Sequence, residues 1–141
     1  MTTIMRTTEL IDQLNEDLAL EFQSIVQYTQ HIATIKGPEY RAIVEELGAH
    51  LAQELEHAKT LANQIDFLGG TPTVQVPAVP YAPDGEQALK SDLVLEETQL
   101  DRYRERVAQA VELGLPDVAE ALRPLLQQTQ DHVSDLRSAL G

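Results

Sequence analysis

The sequence predicts an all-α protein: a four-helix bundle closed by one long crossover. Leu, Ala, Glu and Gln, all good helix formers, dominate, and only 4% of the residues are aromatic. Apolar residues recur at three-four spacing in four separate stretches, the rhythm of a bundle seam. Between the second and third stretches lies a proline-rich segment too long for a simple turn. With 141 residues and 43% hydrophobic content, one compact domain spanning 1–141 has enough apolar material for a core.

The first helix, α1, is expected over about 7–36, capped by Thr7 or Thr8, with Ile11, Leu14, Leu18, Ile25, Ile32 and Ile35 on its seam. Gly37-Pro38 ends it and starts α2 at once, over about 39–68, with Ile43, Leu47, Leu61 and Leu68 inward. Residues 69–84, "GGTPTVQVPAVPYAPD", carry four prolines and cannot be helix. α3 follows over about 85–113, with Asp84 and Gln87 placed for a capping box and Leu89, Leu93, Leu100 and Val107 on the seam. α4 covers about 116–140, with Leu122, Leu126, Val133, Leu136 and Leu140 inward. Pro124 inside it predicts a kink or a break.

The crossover length selects the topology. A helix of this size is about 45 Å long, and the roughly 15 extended residues of the crossover reach about 50 Å. That is one bundle length, so α3 is expected to run parallel to α2.

Composition excludes several functions. Ten Lys and Arg against 23 Asp and Glu leave a net charge of −13, which repels nucleic acid and anionic lipid and favours metal cations. Without cysteine there is no disulfide, zinc-thiolate site or thiol nucleophile. The N-terminus has no signal-like apolar core and no later run approaches a membrane span, so a cytoplasmic protein is expected.

Polar residues interrupt every seam. They are Glu21 and Tyr28 on α1, His50, Glu54 and His57 on α2, Glu96 and Tyr103 on α3, and Thr129 and His132 on α4. Singly, each is an ordinary hydrogen-bonded seam residue. Together they fall at one depth, because Glu21 and Glu54 are equally far from the α1–α2 turn, and Glu96 and His132 lie on either side of Gly114. Three carboxylates buried there cost several kcal/mol each unless neutralised, and no Lys or Arg shares these positions. A multivalent cation would neutralise them. "DLALE" at Asp17–Glu21 also returns as "DLVLE" at Asp92–Glu96. The same shift of 75 carries Tyr28 to Tyr103, Gln53 to Gln128 and His57 to His132, while Glu54 meets Thr129. Two helix pairs thus read as copies about a pseudo-twofold, each supplying half of a two-metal site.

At these residues, and in "SDLVLE", "LGGTP" and the long crossover, the chain resembles the ferritin-like superfamily, most closely bacterioferritin. The resemblance implies a ferritin-like bundle whose two iron ions are held by one Glu from each of two helices plus Glu-x-x-His elements from the others. Glu21 and Glu96 would be terminal carboxylates, Glu54 a bridging one, and His57 and His132 would each bind one iron. Tyr28 matches a tyrosine beside the centre and is the candidate catalytic side chain. The family's second bridging Glu is here Thr129, which makes His50, one turn from Glu54, a substitute ligand. Bacterioferritin's haem methionine is here Leu55, so no haem is expected. The chain stops at Gly141, without that family's fifth helix, so a homodimer rather than a shell is expected, burying Val44, Leu51, Leu55 and Ala62.

Two functions follow. The first is an iron-binding protein that oxidises ferrous iron with dioxygen; manganese or another divalent metal suits the same donors, and an organic-substrate oxidase shares the chemistry. The second is a degenerate, non-catalytic bundle acting as a structural or single-metal-binding dimer.

Overall fold

The structure, a computed structural model, describes residues 6–141. It has four helices, α1 Thr7–Thr34, α2 Arg41–Phe67, α3 Gly85–Glu112 and α4 Pro116–Leu140, with a 3-10 turn at Pro38–Tyr40 leading into α2. Around the bundle each helix touches two others: α1 packs on α2 and α3, and α4 on α3 and α2. No helix among the described residues is long and apolar enough to cross a membrane.

The crossover does span the bundle. It leaves beside the start of α1, where the Asn15 amide bonds the Thr71 carbonyl and the Thr73 N–H. It arrives at the opposite end, where a Cβ on Gly85 would meet the ring of Tyr40 at 2.8 Å. α3 therefore runs parallel to α2 and antiparallel to α1. Gly69 and Gly114 adopt positive φ at the ends of α2 and α3, a turn that a side chain would strain.

Three local expectations are corrected. Neither Thr7 nor Thr8 caps α1; Arg6 holds the cap position and forms no side-chain cap bond. α1 also stops at Thr34, because Ile35 is already extended. Pro124 breaks nothing: α4 runs unbroken through it. Leu122 and Leu125 hold that turn to the core, while Glu120 and Pro124 are exposed, so the carbonyl that loses its donor belongs to an exposed residue.

The core divides in two. One apolar cluster, with Leu10, Leu14, Leu61, Ile65, Val118 and Leu122, fills one end. Ile35, Ile43, Leu47, Leu89 and Leu136 fill the other. Between them lies a belt of buried polar side chains. Its α1–α3 wall repeats under the same 75-residue shift: Asp17 takes the Arg106 guanidinium at 2.8 Å, and its counterpart Asp92 takes His31 at 2.8 Å. Ser24 donates to Gln99 midway, at 3.3 Å. The α1 seam is wider than expected: Leu14, Leu18, Glu21, Tyr28 and Ile35 are buried as expected, Ile25 and Ile32 are only half-buried, and Ser24, Gln27 and His31 also face inward.

Asp17 also binds the partly exposed Arg102, which sets an order of stabilities. Asp17→Leu leaves the buried Arg106 with only the exposed Glu105, 3.6 Å away, as counter-ion and should cost about 3 kcal/mol in urea unfolding. Arg106→Leu should cost less, since Arg102 still neutralises Asp17.

Candidate metal centre

The polar belt brings five expected ligands together. Glu21, Glu54, His57, Glu96 and His132 are each at most 1% exposed, so water neutralises none of them. Their donor atoms converge in two groups, Glu21–Glu54–His57 and Glu54–Glu96–His132, each within 4.8 Å. Glu54 belongs to both. His57 Nδ1 lies 3.4 Å from Glu21 Oε1 and 3.4 Å from Glu54 Oε2. His132 Nδ1 lies 2.9 Å from Glu54 Oε1 and 3.3 Å from Glu96 Oε1.

Both imidazoles are held from behind by the opposite helix. His57 Nε2 donates to Gln128 Oε1 at 2.7 Å, and His132 Nε2 donates to Gln53 Oε1 at 2.6 Å. An amide oxygen only accepts, so each Nε2 carries hydrogen and Nδ1 keeps the lone pair of the neutral ring. The tyrosines cross in the same way. Tyr28 donates to Glu96 Oε1 at 2.7 Å, and Tyr103 donates to Glu21 Oε1. Burial first, then the neighbouring carboxylates, push both phenols well above their usual pKa.

Protonation adjusts to the crowding. Burial, with Glu21 and Glu96 beside it, pushes the Glu54 carboxyl well above the usual range. Burial would raise Glu96 too, but its contacts with His132, Glu54 and Tyr28 outweigh it and hold Glu96 low. Burial alone would lower His57; the Glu21 carboxylate outweighs it, and His57 is raised.

A cation fits what remains. Glu21 Oε2, Glu54 Oε2, Glu96 Oε2 and His57 Nδ1 are buried without a hydrogen-bond partner. Among the described residues no Lys or Arg pairs with these glutamates; their ion-pair partners are His57 and His132. Unpaired carboxylate oxygens and imidazole nitrogens are the donors that iron or manganese takes.

Two other residues stand aside. His50 is buried, but its Nε2 contacts Asp135 at 3.0 Å and its ring stacks on His132 at 3.9 Å. It joins neither group, and its Nδ1 has no partner. Thr129 is buried with its hydroxyl donating to the Leu125 carbonyl at 2.7 Å. Seam spacing passed over the Tyr103–Glu21 bond and the α1–α3 ion pairs. The repeat held the signal for them: Asp17 and Asp92 open its two copies, and Tyr28 and Tyr103 sit equally far along each.

Comparison with known proteins agrees with this geometry. Residues 11–141 match the family model described as a ferritin-like domain. The chain is 23% identical to a bacterioferritin of Desulfovibrio desulfuricans over 130 residues, 92% of this chain and 73% of that protein. It superimposes with a TM-score of 0.91 on a ferritin-like, diiron-carboxylate protein from Bacillus anthracis. That match is 30% identical and covers 100% of both chains.

The raised Glu54 predicts a pH dependence with a definite sign. In metal-free protein a carboxyl held above its ordinary 4.5 contributes stability below that pH and loses it as pH rises through the folded value. Metal must displace that proton, so metal affinity should strengthen over the same interval. The difference in melting temperature between manganese-loaded and chelated protein should widen as pH rises above 4.5. In Glu54→Gln the widening should be smaller, leaving the share that deprotonation of His57 contributes.

Proposed function

The chain belongs to the ferritin-like domain family, and from that premise we propose that it binds two iron ions between its four helices and oxidises ferrous iron with dioxygen. The observation that carries this is the pair of donor groups sharing Glu54, with four unpaired buried ligand atoms turned into them. Iron held there supplies one-electron redox chemistry toward dioxygen. The chain's own residues prepare the place. Glu54 gives up its proton as positive charge arrives and serves both groups from one side chain. Gln53 and Gln128 hold the imidazoles with Nδ1 forward. Tyr28 serves the reaction through Glu96, keeping that carboxylate in place while its own proton stays on the phenol, and Tyr103 does the same for Glu21. The two apolar clusters close the centre off at either end of the bundle.

Thr129 favours a second reading, in which the centre holds one metal or serves only the fold. Its hydroxyl is turned back to its own helix, so three carboxylates face the two sites where four would balance two divalent ions. Metal analysis of protein purified without chelator separates these. Roughly two iron per chain supports the oxidase reading; about one, or none, supports the other. The variants sharpen the test. Metal-free Thr129→Glu should melt below wild type, because it buries another unpaired carboxylate. It should gain more melting temperature on adding ferrous iron, and oxidise it faster. Glu54→Ala should lose metal and the iron-dependent rise together.

Assembly follows from one face of α2. Leu55 is 49% exposed, with half-buried Val44, Leu51 and Ala62 beside it. We propose that a second copy of this chain covers it, in the cytoplasm, with no haem between the copies because Leu55 offers no thioether. Light scattering should give about twice the chain mass, and protein made with ample haem should show no Soret band. A many-chain particle, or stoichiometric haem, would overturn this part.

A further inference from the structure

The shift of 75 that carries Glu21 to Glu96 and His57 to His132 carries Glu54 to Thr129. One carboxylate of an otherwise doubled set is therefore missing, and α4 does not supply it from elsewhere. Gln128 is engaged with His57, Asp131 is exposed and bonded to Gln127, and Asp135 contacts His50. Beyond the belt, Asp17 and Asp92 are already paired with Arg106 and His31. The imidazoles add no negative charge, since each Nε2 hydrogen is held by an amide oxygen. Two divalent cations would bring four positive charges against three carboxylates, leaving a net positive charge where Thr129 is only 1% exposed. Such a charge, removed from water, draws in an anion.

Resting on the two-metal reading, we propose that the centre takes an external small carboxylate on the α4 side, where the repeat puts Thr129 in place of a glutamate. The missing group carries one negative charge and offers two oxygens, and a carboxylate matches both; a phosphate dianion overshoots the charge. Thr129 and the three glutamates are at most 1% exposed, so the smallest carboxylates enter most readily. Formate or acetate is the class of ligand, and the acid group of a small organic substrate would enter in the same way.

The test uses ferrous iron without oxygen, and cobalt(II) as a spectroscopic stand-in. Metal binding is measured by calorimetry in sodium formate and in sodium chloride of equal ionic strength. At formate about ten times its own dissociation constant, the second metal should bind about tenfold tighter than in chloride, as linkage requires. The visible cobalt(II) bands should shift with formate, while the metal-free melting temperature should not change. Thr129→Glu supplies the anion internally and should lose the formate effect. Thr129→Leu fills the place without charge and should lose it too, which keeps the test intact if the glutamate variant folds poorly. Equal metal affinity and equal cobalt spectra in the two salts would overturn the proposal while leaving the two-metal centre standing. A formate effect that persists in both variants would place the anion elsewhere and also overturn it. A wild-type chain that binds no metal in either salt removes the two-metal reading itself, and the proposal with it.

Discussion

Three carboxylates meet in the middle of this bundle with no lysine or arginine between them, and the rest of the architecture answers to that. Each loses its hydration on folding, and like charges at this range raise the cost further. The chain meets part of it locally: two phenols donate to the carboxylates, and Glu54 keeps its proton. What is left over is a set of unpaired oxygens and one nitrogen facing one another. Those atoms are the donor set on which the proposed metal binding rests. The apolar clusters at either end supply the hydrophobic stability that lets the middle stay polar.

The second organising feature is the crossing of partners between the two copies. Tyr28 of the first copy bonds Glu96 of the second, and Tyr103 of the second bonds Glu21 of the first. Gln53 and Gln128 exchange His132 and His57 in the same manner, and Asp17 and Asp92 exchange Arg106 and His31. No copy could satisfy its own ligands alone. α1 meets α3, and α2 meets α4, in antiparallel register, so a residue early in one helix faces one late in the other. The long crossover makes this possible by returning the chain to the α1–α2 turn before α3 begins. A doubled sequence thereby becomes one centre instead of two half-sites.

Much of this was legible in one dimension, and the gaps have identifiable causes. The helices, the crossover and the five converging ligands follow from spacing and from the repeat. Seam spacing placed Leu14, Leu18, Glu21 and Tyr28 inward on α1 but passed over Asp17, Ser24, Gln27 and His31, because it counts apolar residues and these buried ones are polar. On α4 it chose Leu126 over Leu125, although Leu125 is the buried one. Of the kink or break that Pro124 predicts, the break is absent, because local propensity omits the hold that tertiary packing exerts on the turns around it.

The sequence by itself determined the elements and the inventory of donors. Periodicity, proline and glycine placement are local, and the 75-residue repeat is a comparison of the chain with itself. It also determined the deficit at Thr129, which is a matter of identity alone. Only the tertiary structure decided who pairs with whom. That Glu54 serves both donor groups, that His50 turns to Asp135 and stacks on His132, and that the Thr129 hydroxyl folds back on Leu125 depend on helix rotation and inter-helix distance. Those are set by packing among all four helices together, and no spacing within one helix encodes them.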